Sequence, residues 1–138
     1  MGINLYWDNE EQSVILCEFE GKWTWDELHK VLHTTRKLSL EQGRIFGAIV
    51  DIRKSSGIPG GNLFSPDTLN NFKKLMQIGA DGKGPAVVVG MSGAIKGVVD
   101  AIKIVDRNVL DDVYFEQNMT VARRTIYGVM IERSEQSA

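Results

Sequence analysis

The polar and apolar positions fall into short runs that define the elements. Residues 3–8 (INLYWD) predict a first strand and residues 13–20 (SVILCEFE) a second, with a polar turn at Asn9-Glu10-Glu11-Gln12 between them. Two such runs joined by a short polar link read as a hairpin. In the second run Val14, Leu16 and Glu18 fall on one face, and Ile15, Cys17 and Phe19 on the other. Thr24 followed by Glu27 fits a capping box, in which each side chain takes a backbone N–H of the other residue. Trp23 and Leu28 are placed to staple that helix start, and Leu28, Val31, Leu32, Thr35 and Leu38 continue as a helical stripe. Gly43 falls beyond its end.

Residues 44–53 (RIFGAIVDIR) are apolar on both faces, which marks a covered, central strand. Residues 54–63 (KSSGIPGGNL) hold three glycines and a proline and predict a loop. Ser65-Pro66-Asp67 is a helix start: a capping hydroxyl, a proline in the first turn and an acid near the helix dipole. Leu69, Phe72, Leu75 and Met76 line that helix. Residues 85–89 (PAVVV) predict a buried strand, and Gly90-Met91-Ser92-Gly93 turns into a helix striped by Ile95, Val98, Val99, Ile102 and Val105. Residues 113–116 give a fifth strand. Thr120 opens a last helix, with Val121, Ala122, Thr125, Ile126, Val129 and Met130 towards the core, and residues 134–138 fray.

The predicted fold class is α/β, with one mixed five-stranded sheet, about four helices and the order ββαβαβαβα. Strands alternating with helices imply right-handed parallel crossovers. The helices are expected largely on one side, leaving the other face partly open. The chain, 138 residues and 15.4 kDa, is read as a single domain over 1–138.

Charge and composition narrow the function. A formal charge of −2 argues against nucleic-acid binding through bulk charge. No apolar run approaches the roughly 18 residues of a membrane span. The opening MGINLYWDNE lacks a signal-peptide pattern. The single cysteine, Cys17, excludes an internal disulfide and suits a cytoplasmic location. With no histidine or basic residue near it in sequence, it reads as an inert core thiol.

Element order and length combine with three local features. These are the hairpin followed by Gly21-Lys22-Trp23-Thr24-Trp25-Asp26-Glu27-Leu28, a central strand carrying Val50-Asp51, and the closing segment NMTVARRTIYGVM from Asn118 to Met130. Together they resemble the SpoIIAA-like group of STAS-fold proteins, the fold of anti-sigma-factor antagonists, related in shape to SEC14-like lipid-binding domains. The resemblance implies binding rather than catalysis. Members that work by phosphorylation carry an Asp-Ser-Ser-Gly-like motif at the start of the helix after the central strand. Here that start reads Phe64-Ser65-Pro66-Asp67, and Ser55-Ser56-Gly57 stands earlier, preceded by Lys54.

Several residues are candidates for chemistry. Asp26, His29 and His33 share a helical face, but the spacing lacks the glutamate of H-E-x-x-H and the face is polar throughout, so no metal site is expected. Ser92, Gly93 and Lys96 could hold an anion where a strand turns into a helix. The glycines Gly90, Gly93 and Gly97 match no phosphate-loop pattern and are as well explained by a tight turn and close helix–sheet packing. The carboxyl end of a central strand is where open α/β sheets bind ligands. Asp51, Arg53, Gly57, Gly60 and Gly61 are the candidate ligand or partner loop there. Ser65, Ser55 and Ser56 are candidate phosphorylation sites. Trp7, Trp23, Trp25 and Tyr6 are expected between hairpin and first helix.

No nucleophile elbow or catalytic triad is evident, and no cofactor is called for. The expected function is a non-enzymatic regulatory module that recognises a protein partner and is tuned by serine phosphorylation, with a homodimer as one form. The alternative is a carrier of a lipid-like apolar ligand, which needs a cavity lined by Phe46, Phe72, Met76 and Val99. A third reading, an enzyme built on the anion turn, lacks an acid or base within reach.

Overall fold

The computed structural model describes residues 2–56, 66–68, 70–71, 84–90, 96–97, 100 and 112–137, the last four by backbone alone. Five strands form one sheet in sequential order: β1 (Ile3–Trp7), β2 (Val14–Gly21), β3 (Gly47–Ser55), β4 (Ala86–Val89) and β5 (Val113–Glu116). β1 runs antiparallel to β2, and every later pair is parallel. Helix α1 (Trp25–Gln42) joins β2 to β3, and helix α2 (Met119–Ser137) follows β5. Residues 66–68, 70 and 71 are helical between β3 and β4, as are Lys96, Gly97 and Asp100 between β4 and β5. Helical residues therefore occur at all four expected places, and the sheet is mixed as expected.

Two cores sit on opposite faces. Ile15, Cys17 and Phe19 of β2 pack with Ile3, Trp23 and Phe46, joined by Val50 and Ile52 of β3 and by Leu28, Val31 and Leu38 of α1. On the other face Val14, Ile49, Val87 and Val89 pack with Ala122 and Ile126 of α2, all at 0% exposure. The alternation read from β2 thus assigns each residue to its face. The other face, expected to be partly open, is instead covered by α2. The reason is topological: in a sequential strand order, crossovers of one hand fall on one side. A helix that follows the last strand is free of that constraint and folds back over the far side.

Gly47 sets how closely α2 approaches. A Cβ there would lie 3.0 Å from Ile126 Cγ1 and 3.2 Å from Met130 Sδ. Asp8, at the end of β1, holds the helix from the hairpin side. Its carboxylate accepts from Arg123 Nη2 at 3.1 Å and from the Tyr127 hydroxyl at 2.6 Å. The Asp8 side chain is 3% exposed, so its carboxylate needs both partners. Burial, and secondarily the bond to Asp8, pushes the Tyr127 hydroxyl up to about 12.

Thr24 caps α1 as expected, its hydroxyl accepting from Glu27 N at 3.1 Å. The reciprocal half of the capping box is replaced: Glu27 Oε2 accepts from Gly2 N at 2.9 Å and ties the helix start to the hairpin. Gly43 ends the helix in a left-handed conformation, φ 61, with Arg44 N donating to Ser39 O. Arg44 to Phe46 consequently belong to the helix exit, and β3 starts at Gly47. It also extends through Lys54 and Ser55, beyond the expected loop boundary. A register shift opposite Phe19, where β3 carries the extra residue between Asp51 and Lys54, lets Glu20 pair with Lys54 and Gly21 with Ser55.

The tryptophans pack between hairpin and helix. Phe19, Trp23 and Trp25 form two successive edge-to-face contacts, each with centroids 5.1 Å apart, and Trp7 meets Phe46 likewise. Tyr6 departs from the expectation and is 51% exposed. Cys17 is buried, and desolvation pushes its thiol up to about 12. The thiolate is the reactive form. Native protein at pH 8 is therefore expected not to react with an aromatic disulfide reagent, and to release one equivalent of chromophore once unfolded in guanidinium. Absorbance titration in both states measures this.

Candidate recognition site at the carboxyl edge of the sheet

The α2-facing residues of β2 and β3 turn from apolar to charged at the carboxyl edge of the sheet. Val14 and Leu16 give way to Glu18, and Ile49 gives way to Asp51 and then Arg53. Register places Glu18 beside Asp51, and Asp51 beside Val89 of β4. Beyond Val89, Gly90 turns the chain with φ 85, its N–H donating to Glu116 O at 3.1 Å.

Asp51 is buried, 3% exposed, and its charge is fully used. Arg53 Nε donates to Oδ1 and Arg53 Nη2 to Oδ2, both at 2.9 Å. The backbone N–H of Arg53 adds a third bond to Oδ1 at 3.1 Å. The two-pronged guanidinium contact holds the Asp51 carboxyl below its ordinary range, against the opposing effect of burial. Gly90 is part of this arrangement, because any Cβ there would overlap Arg53 Cγ. The glycine lets the Arg53 stem lie along the turn while its head reaches back to Asp51. The Arg53 side chain is 43% exposed, so a fixed cation is presented at the edge. Glu18 faces it from β2 and adds to its stabilisation.

Two further polar contacts shape the edge. Thr125 Oγ1 donates to Glu116 Oε1 at 3.1 Å, and Asn118 Oδ1 accepts from Val121 N at 2.9 Å in the first turn of α2. On the other side of β3, Ser55 Oγ accepts from Trp23 Nε1 at 2.8 Å. Ser56 is exposed, with its backbone N–H donating to Gly21 O at 2.8 Å.

Of the residues singled out from sequence, the structure brings together Asp51 and Arg53, and carries Ser55 and Ser56 just beyond them on the same strand end. Gly57, Gly60, Gly61, Ser65, Ser92 and Gly93 lie outside the described residues. Lys96 and Gly97 are exposed helical residues. His29 is half-buried, its Nε2 3.2 Å from Asn71 Oδ1, while His33 is exposed. Sequence reasoning did not connect Glu18, Gly90 and Glu116 to the site. Only strand register brings them there, and the one local signal was a glycine directly after a strand.

No family model matches the sequence, and no curated protein matches it. Solved structures do match in shape. A candidate anti-sigma factor antagonist from Thermotoga maritima superposes with a TM-score of 0.57 at 10% identity, over 91% of this chain and 94% of that one. The unphosphorylated form of the anti-sigma factor antagonist SpoIIAA superposes with a TM-score of 0.55 at 8% identity, over 93% and 97%. The chain has the SpoIIAA-like, STAS-like fold that its sequence pattern resembles. No helix among the described residues is long and apolar enough to cross a membrane.

Asp51→Asn tests the buried pair. A carboxyl held low in the fold stabilises it above the unfolded value of about 3.9, and that contribution disappears as pH falls through the lower folded value. Wild type is expected to exceed the variant by about 1–3 kcal/mol at pH 7, towards the lower end because Arg53 is half in solvent. The difference shrinks below about pH 4. Urea titrations across pH measure it. Gly90→Ala is expected to cost about 1–3 kcal/mol from backbone strain and displaced Arg53. In an Arg53→Ala background, where Cγ is gone, it costs less, and a double-mutant cycle reads the difference.

Proposed function

We propose that this chain is a non-enzymatic regulatory module that recognises another protein through the carboxyl edge of its sheet. The observation that carries the reading is the half-exposed Arg53 side chain, its guanidinium fixed on buried Asp51 where the central strand ends. A cation already ordered before binding loses little side-chain freedom on contact, and arginine is over-represented among residues that dominate interfaces. The fold supports the same reading, since both solved neighbours are described as anti-sigma factor antagonists. The described buried carboxylates, Asp8 and Asp51, are each engaged by an arginine, and the Cys17 thiol is held protonated. None is poised for acid–base or nucleophilic work.

Regulation by phosphorylation belongs to this reading, and Ser56 is the described serine best placed for it. It is exposed and follows Arg53 and Lys54, whereas the Ser55 hydroxyl is engaged by Trp23. A phosphate there would place close to two negative charges beside the presented cation. A cytoplasmic setting and a homodimeric form complete the proposal. The lipid-carrier alternative gains no support from Phe46, which is buried edge-on against Trp7. Phe72, Met76 and Val99 lie outside the described residues.

A photo-crosslinking amino acid at Ser56, introduced in cells of the source organism, tests the reading. One protein adduct is expected, lost on Arg53→Ala and absent when the crosslinker replaces exposed Glu132 on α2. Adducts that ignore Arg53, or arise equally from Glu132, overturn it.

A further inference from the structure

We infer that the outer edge of β1 pairs with the β1 edge of a second copy of this chain, antiparallel about a two-fold axis at Leu5, to make one continuous sheet. This does not rest on the recognition site proposed above.

Hydrogen bonding fixes which groups face outward. Glu20 N donates to Gly2 O at 2.8 Å and Asp8 N donates to Val14 O at 2.9 Å, so Gly2 and Asp8 point their backbone groups at β2. The register between is regular, from Ile3 opposite Phe19 to Trp7 opposite Ile15. In an antiparallel ladder inward and outward pairs alternate. The N–H and C=O groups of Ile3, Leu5 and Trp7 therefore point away from the sheet, where β1 has no neighbouring strand among the described residues.

That set is self-complementary. With Leu5 opposite Leu5 of the second copy, each Ile3 faces a Trp7, and all three outward residues of both copies exchange both of their bonds. Leu5, 36% exposed, then meets its own copy, and Tyr6, 51% exposed, lies opposite Asn4. The strand carries none of the devices that keep an edge solitary: Ile3-Asn4-Leu5-Tyr6-Trp7 has no charge, no proline and no bulge. The opposite edge, β5, is four residues long and ends on Glu116.

Charge at the strand ends favours this occupant over an arbitrary peptide. The backbone of Lys22, an exposed residue, lies against Gly2 at the start of β1, and exposed Glu10 and Glu11 follow its end. Antiparallel pairing about Leu5 brings the lysine of each copy towards the two glutamates of the other, at both ends of the seam. Opposite charges across a contact fix register and suppress wrong partners.

Sedimentation velocity on the full chain is the test. Wild type at concentrations on the order of 100 µM is expected at twice the chain mass. Leu5→Lys sets two like charges directly opposite and should weaken association roughly tenfold or more. Leu5→Pro deletes only an outward N–H and should do the same without touching the β1–β2 ladder. Lys22→Glu should weaken the dimer, and adding Glu10→Lys and Glu11→Lys should restore it. Melting curves identify any variant that fails to fold, and the surface charge swap stands apart from such effects. In wild type the Leu5 amide should exchange with deuterium slowly, and more slowly as concentration rises. A monomer throughout the range, or a dimer that survives Leu5→Lys, Leu5→Pro and Lys22→Glu, overturns the inference.

Discussion

The sheet depends on one requirement: its central strand must be kept dry on both faces. Ile49 and Val50 of β3 point to opposite sides, and both sides are apolar for most of the strand's length. A sequential strand order leaves the crossovers able to serve only one side. On that side α1 packs, and Asn71 of the next crossover meets His29 from it. Among the described residues the other side is covered by α2, whose Ala122 and Ile126 seat on Val14, Ile49, Val87 and Val89.

The rest of the architecture follows from seating α2 accurately. Gly47 removes the side chain that would hold it off the sheet, and Asp8 grips Arg123 and Tyr127 from the hairpin. Arg133 pairs with Asp112 near the base of β5. Partnered carboxylates thus hold the helix along its length, while the apolar contacts supply most of the driving force. The same face, followed past the apolar layer, becomes the polar edge at Glu18, Asp51 and Arg53. Core and candidate site are successive levels of one surface.

Much of this was legible in the sequence because it is local. Period-two alternation in 13–20 gave both faces of β2, Gly43 gave the end of α1, and the apolar run around Ile49 gave the central strand. The site was half legible: Asp51 and Arg53 share a strand face and stand at a strand end, where ligands gather. What sequence could not reveal depends on register or long-range pairing. Gly90 touches Arg53 only because β4 lies beside β3 at a particular offset. Asp8 finds Arg123 across 115 residues of chain. Glu27 abandons its capping partner because Gly2, distant in sequence, presents an N–H beside it. The boundary of β3 moved for the same reason, since pairing with the end of β2 outweighed the loop-like composition of Lys54-Ser55-Ser56.

The placement of α2 has a consequence for synthesis. A ribosome delivers the strands first and their second cover last. Until the segment from Met119 onward has left the exit tunnel, the row Val14, Ile49, Val87, Val89 lacks the helix that covers it among the described residues. The growing polypeptide can assemble the hairpin and α1 early, yet this apolar row stays without its α2 cover until Ile126 has emerged. Chaperone engagement, or premature association between neighbouring nascent chains, is concentrated in that interval, and it closes in a single step when the helix docks.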